Sequence, residues 1–272
     1  MIKSEILKDM EQVLKKSKGI IKLLFFLLFF WILGSLFLFL FSDFLIFKNQ
    51  YSQGPIKSYQ KYEEVFLPYD NKEKLYITQS FQKKDDPLVI LFFHGNGGRV
   101  GRVINDLAPY HNIVAPAYPG YHLSTGISNK EGMLKTVDLS MSYLKEQGIK
   151  EENIIIFGAS LGGTAALYAA YKYPNVKTII LVGTFDKINS VCYDIYGVFC
   201  IFADNIFNNI KLAKDAKAKI RQFHSIDDEI IDFEFGKSLF KDINSEDKKF
   251  YSLKGSHNGF DAVEIIRQSL LD

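Results

Sequence analysis

Cysteine, proline and tryptophan are scarce in this chain, and neither sign of charge dominates. Of 272 residues, two are cysteine, seven proline and one tryptophan. Two cysteines, Cys192 and Cys200, cannot build a disulfide framework, and no C-x-x-C or paired Cys/His spacing marks a zinc site. They read as small core residues. Eight positions apart on one continuous helix, their Cα atoms would lie about 12 Å from each other, too far for a bridge; Gly197 between them leaves a turn open. The 33 Lys and Arg nearly balance the 31 Asp and Glu. With no basic stripe and no acidic tail, a nucleic-acid partner is not expected. No internal repeat is present, which excludes a solenoid. Neither G-x-G-x-x-G nor a G-K-[ST] ending occurs, so no nucleotide cofactor is expected.

One long apolar run is present. Leu23 to Phe41 is 19 residues without a charge, rich in Leu and Phe, and as a helix it would span about 28 Å. It exceeds a signal-peptide core, and no small-x-small cleavage site follows, so it reads as an uncleaved anchor. Lys15, Lys16, Lys18 and Lys22 precede it, whereas Asp43 and a lone Lys48 follow. The positive-inside tendency then puts residue 1 in the cytoplasm and the rest of the chain on the far side. Residues 1–22 carry Ile2, Ile6, Met10, Val13 and Leu14 at helical spacing, which fits either an amphipathic lead-in lying on the membrane or a solvated helix. Residues 42–62, polar and tyrosine-rich beyond Asn49 and holding Gly54-Pro55, read as a tether.

The remaining residues, 63–272, suit one α/β domain. Alternation in Glu64–Pro68 and Leu75–Gln82, parted by Asp70-Asn71, predicts an antiparallel hairpin. Leu88–Phe93, Ile113–Ala117, Asn153–Phe157, Thr178–Val182, Ile220–Phe223 and Phe250–Leu253 are short apolar runs typical of buried parallel strands. Helical patterns lie between them, among them Lys130–Gln147, Leu161–Tyr173 and Phe260–Leu271. The expectation is a doubly wound, mostly parallel, eight-stranded sheet flanked by helices and preceded by a single transmembrane helix.

Gly158-Ala159-Ser160-Leu161-Gly162 joins an apolar strand to an Ala-rich helix. A G-x-S-x-G sequence in that setting puts the serine on a strained turn with its hydroxyl exposed, glycines flanking it where a Cβ would collide. The N–H of Leu161, at the helix start, would face a developing oxyanion. A second donor is expected from Asn96 in the glycine-rich loop His94-Gly95-Asn96-Gly97-Gly98. Serine needs a base, itself oriented by a carboxylate. In chains with this elbow the acid and then the histidine follow the serine, which leaves His224 and His257. His257, in Gly255-Ser256-His257-Asn258-Gly259 between the last strand and the last helix, is the expected base. Candidate acids are Asp227, Asp228 and Glu229, with Asp186 after the preceding strand. Asp228 is preferred, and Asp227 and Glu229 read as solvated. His94 reads as a residue that holds its loop by hydrogen bonds. Aromatic residues crowd Phe185–Asn209, where they either pack the core, line an acyl pocket or dip toward the bilayer.

Taken in order, these motifs resemble the α/β-hydrolase superfamily, and within it the membrane-anchored hydrolase-domain subgroup that is similar to serine aminopeptidase-like and dienelactone hydrolase-like esterases. The resemblance rests on His94–Gly98 for H-G-N-x-G, Tyr118–Tyr121 for Y-x-G-Y and Gly158–Gly163 for G-x-S-x-G-G. It continues with His224–Ile231 for H-G-x-x-D-x-x-[VI], where Asp228 takes the acid's place, and Gly255–Asn258 for G-x-H-N. Ser225 stands where that pattern has glycine, and His122 follows Tyr121 where glycine is usual. The resemblance implies an α/β-hydrolase fold, a Ser160-His257-Asp228 triad with Asn96 and Leu161 as oxyanion donors, and no cofactor or metal. The expected substrate is a small-molecule, lipid or acyl-protein ester or thioester. A peptidase or amidase of the same fold, or a non-catalytic membrane-tethered binding module, are the rival readings.

Overall fold

The computed structural model describes residues 2–47, 54, 56, 58, 60–70, 72–202 and 207–271. The chain opens with α1 (Ile2–Leu40) and the short α2 (Ser42–Ile46). The lead-in and the apolar run form one uninterrupted helix. Leu14–Leu40 is long and apolar enough to cross a membrane, and only a small part of it is covered by protein. Phe25, for example, is 68 % exposed. Such a continuous apolar surface is consistent with a single-pass membrane anchor.

The residues after the anchor depart from the expected tether. Ser42–Ile46 is helical, and Phe47 is fully buried with its ring edge-on to Phe207 at 6.2 Å. Ile56 is buried, Ser58 Oγ donates to Asn105 Oδ1 at 2.7 Å, and Tyr62 Oη donates to the Ile56 carbonyl. The described parts of this stretch are therefore docked on the domain. Lys48–Gln53, Pro55, Lys57 and Tyr59 lie outside the described residues, as does Asn71 of the hairpin turn.

The domain alternates strands and helices. β1 (Glu63–Asp70) and β2 (Glu73–Ser80) form the hairpin, followed by β3 (Val89–Phe93), α3 (Val100–Leu107), β4 (Asn112–Pro116), α4 (Lys130–Glu146), β5 (Ile154–Ala159) and α5 (Gly162–Lys172). The second half holds β6 (Thr178–Val182), α6 (Ile188–Tyr196), α7 (Asn209–Lys214), β7 (Lys219–Ser225), α8 (Phe233–Asp242), β8 (Lys248–Leu253) and α9 (Ala262–Leu271). One eight-stranded sheet runs in the order β1-β2-β4-β3-β5-β6-β7-β8. β1 and β2 are antiparallel to their neighbours, and every pairing from β4 to β8 is parallel.

This pattern follows from burial. β3, β4, β5 and β6 are buried along their whole length, as Val/Ile/Leu-rich strands must be when helices cover both faces. Each such side chain contributes about 1.5–3 kcal/mol by leaving water. β1, at one edge, instead alternates exposed and half-buried residues. α4 begins where Asn129 Oδ1 accepts the Gly132 N–H at 2.7 Å, which satisfies one of the four N–H groups that a helix start leaves without partners.

The two cysteines correct the sequence expectation. α6 stops at Gly197, whose φ of +56° reverses the chain into a 3-10 turn over Gly197–Cys200. The Cα atoms of Cys192 and Cys200 then lie 5.8 Å apart and the residues are joined by a disulfide. Glycine adopts that conformation without the Cβ clash other residues meet, so the turn that Gly197 left open in the sequence is the one that forms, and the continuous helix is not.

A bridge over so short a loop contributes about 2–3 kcal/mol through the unfolded chain. Replacing both cysteines with serine is expected to lower the thermal midpoint of the detergent-solubilised protein by roughly 5–10 °C. Scanning fluorimetry with an unchanged midpoint would refute this.

Candidate active site

Ser160 is the one residue between β5 and the N-cap of α5. Its φ is +54°, a region that residues with a Cβ seldom enter and that marks stored backbone strain. The surrounding glycines explain how the strain is held. A Cβ on Gly158 would collide with the Gly162 carbonyl, one on Gly162 with the Phe93 carbonyl, and one on Gly163 with the Thr184 hydroxyl. The start of α5 thus packs directly on the ends of β3 and β5. Ser160 N–H donates to the Val182 carbonyl at 2.7 Å, which extends the β5–β6 pairing through the turn. Leu161 follows with helical φ and ψ as N-cap of α5. Its N–H belongs to the first turn, where a helix has no acceptor of its own.

The adjacent parallel strands β7 and β8 carry the other two candidates. Their pairing continues to Ser225 opposite Leu253, with Ile226 N–H donating to the Leu253 carbonyl, so the loops that follow emerge side by side. His257 Nδ1–H donates to Asp228 Oδ2 at 2.7 Å. Asp228 Oδ1 accepts the N–H groups of Ile230 and Ile231 at 2.9 and 2.8 Å. Only 1 % of the Asp228 side chain is exposed. Burial alone would push its carboxyl up, yet hydrogen bonds from His224, His257 and Ile231 outweigh that and hold it well below the usual carboxylate range. The group is an anion, and it fixes the proton of His257 on Nδ1.

The neighbours expected to be solvated are engaged as well. Glu229 Oε2 accepts the His257 N–H at 2.8 Å and Asp227 Oδ2 accepts the Gly255 N–H at 3.2 Å. Ser225, the departure from glycine, donates its hydroxyl to the Gly255 carbonyl. Three consecutive acids look alike in sequence. Only the parallel pairing of β7 with β8 turns the outer two toward the histidine loop. Gly183, after β6, had no sequence signal: at φ +57°, its hypothetical Cβ would sit 3.1 Å from His257 Cε1 and 3.4 Å from Asp228 Oδ2. Asp186 lies elsewhere, accepting from Ser238 Oγ at 2.8 Å and from the Lys187 N–H. His224 is buried, and its Nε2–H donates to the Ile231 carbonyl at 3.0 Å with Asp228 Oδ2 at 3.4 Å.

The loop after β3 approaches from the opposite side. A Cβ on Gly95 would lie 3.1 Å from Ser160 Cβ, so glycine lets this backbone reach the serine. His94 is fully buried, with Nδ1 2.7 Å from the Gly95 carbonyl and Nε2 3.3 Å from the Tyr118 N–H. One nitrogen donates and the other accepts, which requires the neutral ring; burial depresses its pKa to about 3. Tyr121 Oη donates to the Asn96 carbonyl at 3.0 Å. His122, at φ +51°, has Nε2 2.7 Å from the Gly98 carbonyl and Nδ1 3.1 Å from that of Gly54. The Y-x-G-Y segment and its unusual histidine therefore brace the loop that carries Asn96.

Two cavities meet at Ser160, Asn96 and Ile230. One, of about 240 Å³, is lined by the His94–Arg99 loop, Arg102, His257 and Asn258. The other, of about 250 Å³, is apolar and includes Leu161, Phe185 and Val191. The aromatic stretch divides accordingly. Phe185 and Phe207 are buried, whereas Tyr193, Tyr196, Phe199 and Phe202 are exposed. Among the described residues no group of three or more His, Cys, Asp or Glu side chains is arranged to hold a metal ion.

Comparison with known proteins agrees with the architecture. Residues 89–195 match the family described as alpha/beta hydrolase fold; this span holds the Asn96 loop and the Ser160 elbow and stops before the Asp228 and His257 loops. A Caenorhabditis elegans protein described as uncharacterized is 30 % identical over 122 residues, 44 % of this chain and 25 % of its own length. The human alpha/beta hydrolase domain-containing protein 17B is 25 % identical over 187 residues, covering 66 % of this chain and 63 % of its own. The chain thus spans between a quarter and two thirds of the length of these curated relatives. Among solved structures, a Pyrococcus furiosus esterase superposes with a TM-score of 0.62 at 13 % identity, covering 80 % of this chain and 96 % of that one. The chain has the α/β-hydrolase fold, with one apolar helix added at its N-terminus.

The neutral, buried His94 has a consequence for stability. Unfolded, it titrates near 6.5; folded, it stays unprotonated to about pH 3. Between these values the unfolded state binds a proton that the native state does not, so stability falls as pH drops below about 6.5. His111 and His122, also depressed chiefly by burial, act in the same direction. Between pH 4 and 6, the unfolding free energy of a His94→Asn variant is expected to depend on pH less steeply by about 1.4 kcal/mol per unit, one proton's worth. Denaturant titrations with parallel slopes for both proteins would contradict this.

Proposed function

We propose that the protein is a membrane-anchored serine hydrolase that cleaves carboxylic ester or thioester bonds through an acyl-enzyme. The observation that carries this reading is a serine held at φ +54° on a strand-to-helix elbow, sharing a cavity with a histidine whose Nδ1–H is bound to a buried carboxylate at 2.7 Å. With Nδ1 protonated, Nε2 of His257 is the free lone pair. It takes the Ser160 proton as Oγ attacks the substrate carbonyl carbon, and the carbonyl electrons move to oxygen. The N–H groups of Leu161 and Asn96 stabilise that oxyanion, each donor contributing about 2.7–4 kcal/mol. As the tetrahedral intermediate collapses, His257 returns the proton to the departing alkoxide or thiolate. Water then repeats the sequence on the acyl-serine. Asp228 stays ionised throughout, orients the ring and stabilises its charged form. The Pyrococcus furiosus protein of similar fold is an esterase, which supports the reaction class by analogy.

In this reading Ser160→Ala and His257→Ala each lower ester turnover by about 10⁴–10⁶-fold and abolish labelling by a fluorophosphonate, while Asp228→Asn lowers it about 10⁴-fold. Wild-type protein that ignores the reagent, or Ser160→Ala protein that still reacts, would refute the assignment.

For orientation, the lysine cluster before the anchor supports a cytoplasmic N-terminus. The Cys192–Cys200 disulfide supports an oxidising compartment for the domain. A C-terminal fusion to a reporter active only outside the cytoplasm is expected to give signal. Activity instead from a cytoplasm-only reporter at that end would reverse the orientation.

A further inference from the structure

We infer that the outer end of the membrane helix forms a wall of the acyl-binding site, and that the substrate is a long-chain acyl ester drawn sideways from the bilayer leaflet beside the domain. This rests on the acyl-transfer role of Ser160 proposed above. The apolar cavity that ends at Ser160 and Leu161 is assembled from segments far apart in sequence: Leu38 and Phe39 of α1, Ile46 of α2, Val191 and Ile195 of α6, and Ile230 beyond β7. On the other side of Ser160 lies the more polar cavity with Arg102, Asn258 and His257. A carbonyl held at Ser160 therefore has an apolar side for its chain and a polar side for its leaving group, which is the layout of an amphiphile.

The level of the cavity relative to the anchor identifies where the chain comes from. Trp31 Nε1–H donates to the Val198 carbonyl at 2.9 Å, and Trp31 lies nine residues, about 14 Å, before the end of α1. Phe199 packs on Gly34, where a Cβ would come within 2.9 Å of its ring, and Phe39 meets Phe202 edge-on at 6.4 Å. The disulfide-stapled cap, α6 with the turn Gly197–Cys200 that follows it, is thus fastened alongside the apolar part of the anchor. Its outer face continues that surface: Val198 is 64 % and Ile195 59 % exposed. At this depth the cap lies against hydrocarbon, and the indole donor satisfies a carbonyl that lipid could not. The wall of the cavity is the same layer of side chains that meets the acyl region of the bilayer, so a lipid tail reaches Ser160 without crossing water.

The test uses full-length protein in phosphatidylcholine nanodiscs. Turnover of p-nitrophenyl acetate, octanoate and laurate is measured alongside fluorophosphonate labelling. Wild-type kcat/KM is expected to rise at least tenfold from acetate to laurate, since each methylene buried from water is worth about fourfold. Leu38→Trp, which fills the cavity from the anchor side, is expected to lower the laurate-to-acetate ratio at least tenfold. Phe25→Trp, on the lipid-facing surface of the same helix, should keep the wild-type ratio. Should Leu38→Trp lose labelling through misfolding, Val191→Phe from the cap side makes the same test. A wild-type ratio near one, or a ratio unmoved in a labelled cavity variant, overturns the acyl site and leaves the Ser160 reading intact. Wild-type protein that takes no label overturns both.

Discussion

The rest of the structure depends on how closely the start of α5 approaches the ends of β3 and β5. At Gly158, Gly162 and Gly163 there is no space for a side chain, because backbone carbonyls and the Thr184 hydroxyl occupy it. The chain must therefore pass from strand to helix through a single residue, and that residue is forced into the left-handed region. Holding Ser160 there costs on the order of 1–3 kcal/mol, offset by the buried strands on either side. The same approach brings the Gly95 loop against Ser160. Removing the close packing would relax the turn and separate the serine from the loop that carries Asn96.

Charge at the site is organised around one buried anion. Asp228 is held by two backbone N–H groups and by His257, and its neighbours restrain the histidine loop through the backbone. Glu229 takes the His257 N–H, Asp227 that of Gly255, and Ser225 binds the Gly255 carbonyl. The imidazole is thus restrained both from its ring and from its main chain. On the other flank a neutral histidine, His94, and the tyrosines packed around it brace the opposing loop. The two sides use different physics: one a desolvated charge with satisfied hydrogen bonds, the other a buried ring that must remain uncharged.

The apolar N-terminal helix is integrated with the domain. Trp31, Gly34 and Phe39 contact the cap, and Phe47 inserts into the core. The Cys192–Cys200 bridge holds α6 and the following turn as one unit against the helix. A helix needed only to retain the protein at a membrane would not have to share a cavity with Ser160.

Much of this was legible in the residues. The strands are marked by continuous apolar runs, the long N-terminal helix by its uncharged apolar length, and the tight turn at Ser160 by glycines whose spacing has a local steric cause. His257 and Asp228 were placed by chain order and motif, and they meet because β7 and β8 are parallel neighbours. Other features had no local signature. The disulfide depends on where α6 ends, the engagement of Asp227 and Glu229 on which loop lies beside theirs, and Gly183 on the proximity of a histidine 74 positions later. Docking of Ser42–Phe47 and the apolar cavity between α1 and α6 depend on the anchor packing against the cap. Sequence determines what is encoded by neighbours along the chain: periodicity, burial and the sterics of a tight turn. Tertiary structure decides what depends on neighbours in space, because the same side chain is solvated or engaged according to what the fold sets beside it.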